Sequence, residues 1–130
     1  MTMGLFKKLF SGKNSENNSQ MEWYPLQDLL QIDDIITNSF EKVVIIFKHS
    51  TRCSISRFVL QNFEEQYNFT KEQIIPYYLD LLSYREISNE VAVRLGINHQ
   101  SPQLIVIKNG KVIFDASHES IDPAVLNKFI

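Results

Sequence analysis

Cys53 opens a C-x-x-S segment, Cys53-Ser54-Ile55-Ser56, and it is the one cysteine of the 130-residue chain. Residues i and i+3 of a helix lie one turn apart on the same side. Ser56 therefore stands where a dithiol oxidoreductase has its second, resolving thiol. Serine forms no disulfide, but its hydroxyl can donate a hydrogen bond to a thiolate at Cys53. The third element is Ser101-Pro102, directly before the apolar run LIVI. Only about 5–6% of X-Pro bonds in folded proteins are cis, so the dipeptide alone reads as trans.

What a lone thiol can do depends on where the fold puts it. Val43 to Phe47 (VVIIF) is a continuous apolar run, as expected for a strand covered on both faces. Ile55, Phe58, Val59, Phe63 and Tyr67 recur at steps of three and four, which predicts an amphipathic helix beginning close to Cys53. Cys53 then falls at a strand-to-helix junction, and open α/β sheets gather ligands beyond the carboxyl ends of their strands. A thiol there meets unpaired backbone N–H groups and the positive end of the helix dipole, and both favour thiolate over thiol. Arg52 is adjacent, and Lys48 and His49 are close enough in sequence to add positive potential. The bland alternative is a buried thiol packing as a small hydrophobe. Its neighbours Ser50, Thr51, Arg52 and Ser54 are poor company for such a core residue.

The remaining elements follow the same logic. Trp23 and Tyr24 suit a short strand before Pro25, and Leu26 to Phe40 carries apolar residues at helical spacing. Ile74 to Leu82 (IIPYYLDLL) is strand-like, and Pro76 places that strand, or one side of it, near a sheet edge. Ser83-x-x-Glu86 has the form of a capping box before a helix carrying Ile87, Val91 and Leu95, which ends at Gly96. Asn109-Gly110 between LIVI and VIF predicts a type I′ hairpin. Asp122-Pro123 reads as an N-cap and first turn, with Val125, Leu126 and Phe129 facing inward. The order is β-α-β-α-β-α-β-β-α. It predicts an α/β domain with a central mixed sheet and helices on both faces.

Composition narrows the function classes. One cysteine excludes an internal disulfide and any zinc site built on two thiolates of one chain. A net charge of −2 gives no cationic field for nucleic acid. No apolar stretch approaches the ~20 residues of a membrane helix. Residues 1–20 read as an arm followed by a polar, flexible linker (SGKNSENNSQ), with the folded domain over 21–130. In the arm, Phe6, Leu9 and Phe10 share one helical face opposite Lys7 and Lys8. A loosely docked arm is the preferred reading over a membrane role, and the segment lacks the apolar core of a signal peptide.

Taken together, VVIIF, the strand-to-helix C-x-x-S, VAVRLGI, Pro102 before LIVI and the KNGKVIF hairpin resemble the thioredoxin superfamily. More narrowly, FKHSTRCSIS is similar to the K-H-S-T-x-C-P-I-S segment of the monothiol bacilliredoxins of the bacillithiol system, over most of residues 22–130. Ser54 departs from that pattern, replacing the usual Pro and keeping an N–H that Pro lacks. The Gly96–Pro102 connection is also about one residue longer than usual for the fold.

The resemblance implies a thioredoxin-like fold with Pro102 cis and facing Cys53, and with the Ser101 backbone offering strand-like hydrogen bonds to a thiol or peptide. His99 and Gln100 then stand at the rim, although a solvent-facing His99 is the simpler expectation. It implies a cytoplasmic monothiol oxidoreductase that removes a low-molecular-weight thiol from protein mixed disulfides through Cys53. Bacillithiol is the expected co-substrate, with no bound cofactor and no metal. Bacillithiolated client proteins are the expected partners. The N–H groups from Ser54 onward, with Thr51 and Arg52, would hold the reacting sulfurs and anionic parts of the small thiol. Two alternatives stay open: an iron–sulfur carrier of monothiol-glutaredoxin type, its cluster shared between subunits, and a non-catalytic thioredoxin-like sensor or adaptor.

Overall fold

The structure is a computed structural model that describes residues 21–130. The arm and linker expected over residues 1–20 lie outside the described residues. Among the described residues, five strands form one sheet: β1 (Tyr24–Pro25), β2 (Val43–His49), β3 (Ile74–Asp80), β4 (Gln103–Lys108) and β5 (Lys111–Ser117). Three helices connect them: α1 (Leu30–Asn38), α2 (Ser54–Gln66) and α3 (Arg85–Leu95). The strand order is β1-β3-β2-β4-β5. β3 runs parallel to β1 and β2, while β4 is antiparallel to both β2 and β5. This is the mixed sheet that the element order predicts.

Every residue of β2 is buried, as its unbroken apolar run requires. Alternation sends Val44 and Ile46 to the face shared with Ile32, Ile35, Ile87 and Val91 of α1 and α3. Val43, Ile45 and Phe47 face the other way, against Val59 and Phe63 of α2 and Leu126 near the C-terminus. Phe47 lies 5.3 Å from the Phe63 ring and 5.9 Å from that of Trp23, which fixes α2 over the sheet. α2 is thus anchored at its middle while its first turn stays at the sheet end.

Several local expectations need correction. Leu26 does not belong to the first helix: its N–H pairs with the Tyr78 carbonyl, prolonging β1, and its side chain is fully buried. The helix starts later, where Asp28 accepts from Leu30 N–H and Gln31 reaches back to the N–H groups of Gln27 and Asp28. Phe40 lies past α1 and is exposed. Ser83 does not cap α3. Its hydroxyl donates to Asp80, whose carboxylate also accepts from the N–H groups of Leu82 and Ser83. The last element, Pro123–Lys128, is 3₁₀ rather than α, with Asp122 capping Ala124 N–H as the sequence predicts. β1 pairs only with Tyr77 and Tyr78, so Pro76 has an unpaired flank on that side.

The β4–β5 turn has both central residues at positive φ, Asn109 at 54° and Gly110 at 78°, as a type I′ turn requires. The positive φ is what calls for glycine at 110; a Cβ there would also stand 2.8 Å from Cζ of the exposed Phe40 ring, which would have to swing aside.

Candidate functional site

The cysteine follows directly from the end of β2. β2 stops at His49, and the chain turns through Ser50 to Cys53, whose N–H donates to the Ser50 carbonyl at 3.2 Å. Cys53 is the N-cap residue of α2, with extended φ and ψ, and is half-buried. Its carbonyl accepts the first helical bond, from Arg57 N–H at 3.0 Å. The N–H groups of Ser54, Ile55 and Ser56 therefore precede the helical ladder at the helix end that Cys53 caps, and none of them is hydrogen-bonded to its side chain. That is the electropositive position the sequence predicts.

The Ser101–Pro102 peptide bond is cis, so the expectation from the resemblance holds and the statistical default does not. β2 pairs with β4 as Lys48↔Gln103, and continuing the register by one sets Pro102 beside His49 and Ser101 beside Ser50. The cis-proline thus lies at the sheet end from which the Cys53 turn departs. Pro102 is buried, and its carbonyl accepts from His118 N–H at 3.0 Å. The Ser101 hydroxyl is buried, with no hydrogen-bond partner among the described residues. Thr51 and Arg52 are exposed and line a cleft of about 410 Å³ with Leu82 and Ser83. Ser54 is exposed on the opposite flank. It borders a groove with Ile55 and Phe58, which are 52% and 63% exposed. These two were expected in the core; only Val59 and Phe63 of that stripe are buried.

Ser56 is fully buried and does not stand free. Its Oγ accepts from Ser50 N–H at 3.1 Å and lies 2.8 Å from His49 Nδ1. His49 itself is buried beneath α2, its ring 5.7 Å from that of Tyr78 and tilted 42° to it. Burial pulls its imidazole below the usual 6.5, Asp80 opposes that shift, and Arg57 adds to it. Lys48 points to the other face, fully buried, with Nζ 2.7 Å from Nδ1 of the exposed His99. Burial lowers Lys48 from 10.5 to about 8, and His99 is lowered in turn by burial, Lys48 and Arg85. Of the positive potential expected from Lys48 and His49, that of Lys48 persists below pH 8 but on the face away from α2, while His49 is held toward its neutral form. Strand alternation sends them to opposite faces, and burial disfavours the charged form of each.

Gln103 is a site residue that the sequence reading missed. Fully buried, it accepts from Gln100 N–H and donates to the Asn98 carbonyl and to Asp115, tying the long connection to the sheet. A polar residue directly between Pro102 and the apolar run LIVI was the available signal. Arg94 takes no part here; it pairs with Asp33 at 2.7 Å and joins α3 to α1.

The lowered basic groups make two predictions. Lys48 titrates lower in the folded chain than in the unfolded one. Its charged form therefore opposes folding below pH 8, and the opposition fades as pH rises from about 8 to 10.5. Lys48→Met is expected to stabilise the protein by about 1 kcal/mol at pH 7, with the gain shrinking toward pH 10.5, as read by urea unfolding. His49 and His99 are also lowered, so the unfolded state binds their protons first as pH falls below 6.5. Stability is expected to decline through that window, and His49→Asn should flatten part of the decline.

The monothiol bacilliredoxin BrxC family model matches residues 24–126. Among solved structures, a thioredoxin-fold protein is similar with a TM-score of 0.67 and 26% identity, over 80% of this chain and 89% of its own. Thioredoxin from Malassezia sympodialis matches with a TM-score of 0.64 and 19% identity, over 87% and 91%. Mitochondrial thioredoxin 3 from Saccharomyces cerevisiae matches with a TM-score of 0.60 and 17% identity, over 82% and 91%. The last two likenesses establish the fold alone. With the cysteine at a helix N-cap and the family match spanning nearly the whole described domain, the chain belongs to the monothiol bacilliredoxin family, thiol oxidoreductases of thioredoxin fold.

Proposed function

We propose that the protein removes a low-molecular-weight thiol, bacillithiol in the first instance, from protein mixed disulfides in a reducing cytoplasm. The Cys53 thiolate attacks the small-thiol sulfur of the mixed disulfide. That S–S bond breaks, a Cys53–small-thiol disulfide forms, and the client leaves as thiolate and takes up a proton. A second small-thiol thiolate then attacks the adduct, regenerating Cys53 and releasing the small thiol as its own disulfide. The net two-electron reduction of the client comes from that external thiol. Exchange of this kind depends on thiolate fraction, nucleophilicity and leaving-group acidity.

The observation that carries the reading is the half-buried Cys53 at the α2 N-cap, with a serine rather than a thiol one turn on. The chain can begin exchange but has no second thiol with which to finish it. Thr51 and Arg52 line an open polar cleft suited to the anionic parts of a small thiol, and Ser54, Ile55 and Phe58 offer a partly apolar face to the client. The Ser101 backbone, just before the N-terminal end of β4, is the surface offered to a bound sulfur-bearing segment. The test is client release followed with and without added bacillithiol. One equivalent of client thiol per protein without it, and many with it, is the expected pattern. Identical release in both conditions would contradict the reading.

A further inference from the structure

His49 has no part in the exchange just described, yet it is a titratable side chain only 3% exposed at the end of β2. Its Nδ1 lies 2.8 Å from Ser56 Oγ, and the same oxygen accepts from Ser50 N–H at 3.1 Å. A hydroxyl has one proton and two lone pairs. Ser50 occupies one lone pair, so two arrangements remain. When Nδ1 is bare, Ser56 donates its proton to the imidazole, and the hydroxyl has nothing left to give. When Nδ1 carries a proton, the imidazole donates into the second lone pair, and the Ser56 proton is released. Cys53 is the N-cap of α2 and Ser56 its third residue, the position toward which an N-cap side chain is directed.

We propose that His49 is a positioning residue that sets the direction of the Ser56 hydroxyl proton, and that Nδ1-protonated His49 turns this proton toward the Cys53 thiolate. The inference rests on Cys53 being the nucleophile. The groups facing His49 are Asp80 and Tyr78 from β3 and Arg57 and Ser56 from α2; by register, Pro102 lies on the β4 side. Asp80 favours the protonated ring, whereas burial and Arg57 oppose it. The resting imidazole at neutral pH is therefore uncharged, and its tautomer decides which way Ser56 points. Once Cys53 is tied up in a disulfide, the thiolate acceptor is gone and Ser56 turns back to Nδ1. Linkage makes the effect reciprocal: the thiolate favours a proton on His49 Nδ1, and that proton favours the thiolate.

The experiment is NMR of the His49 ring in the full chain, with Cys53 reduced or blocked as its methyl disulfide. Nitrogen shifts report the tautomer directly. The Nδ1–H form is expected with the thiolate and the Nε2–H form after blocking. Blocking is also expected to lower the His49 titration midpoint by roughly half a pH unit or more, a difference that shrinks at least twofold in Ser56→Ala. The same tautomer and midpoint in both wild-type states would overturn the proposal, as would an undiminished difference in Ser56→Ala. The wild-type comparison stands even if that variant folds poorly. A Cys53→Ser protein that still releases client would instead overturn the nucleophile reading, whatever the His49 spectra show.

Discussion

Cys53→Ser is expected to slow release of client from its bacillithiol mixed disulfide by about three orders of magnitude or more. The substitution removes the only sulfur able to accept the small thiol. It should leave the fold almost untouched, with unfolding free energy within about 0.5 kcal/mol of wild type. The structure explains the contrast. Cys53 caps α2 through its backbone, accepting from Arg57 N–H, and no side-chain capping bond comes from it. Serine keeps that backbone. Paired activity and urea-unfolding measurements check both halves. A variant that loses stability as well as activity would place Cys53 among the structural residues.

Ser56→Cys carries the second large effect, because it alters what the chain can complete alone. A thiolate one turn after Cys53 can attack the Cys53–small-thiol disulfide within the same molecule. That attack expels the small thiol and leaves an internal disulfide. Two cysteines at i and i+3 meet the Cα separation that such a bridge needs, and the intramolecular step runs at an effective concentration of about millimolar or above. Without added thiol, the variant should release one equivalent of small thiol per protein, whereas wild type retains it as the adduct. Turnover then stalls until a reductant opens the bridge. The change also removes the oxygen that accepts from Ser50 N–H and pairs with His49, at a cost of about 1–3 kcal/mol. Persistence of the adduct in this variant would mean that position 56 cannot reach the sulfur at 53.

The fold was legible because its strongest signals are local and redundant. VVIIF admits only a strand buried on both faces, Asn109-Gly110 only a tight hairpin, and Gly96 in the left-handed region ends α3. The misreadings came where a neighbour across the sheet outbid the local pattern. Leu26 has helical spacing but follows the Tyr78 carbonyl, and Ser83 has capping spacing but is claimed by Asp80. At the site, the cysteine's place at the strand–helix junction could be read from spacing alone. The partners of Lys48, His49 and Gln103 could not: His99 and Asp115 come from a distant loop and from β5, and Ser56, only seven residues from His49, meets it because α2 folds back over the end of β2. Sequence proximity suggested that Lys48 and His49 add charge to Cys53. Alternation along β2 sends them to opposite faces, and only the three-dimensional packing shows which one comes to lie against Ser56.

Intact-protein mass spectrometry after one turnover without added thiol tests the central claim most directly. The chain is mixed with a stoichiometric bacillithiolated client and quenched by acid. The predicted product is this chain carrying one bacillithiol on Cys53, with the client recovered as free thiol. A covalent complex between Cys53 and the client, with bacillithiol released, would contradict the claim, and so would an unmodified Cys53 beside a reduced client.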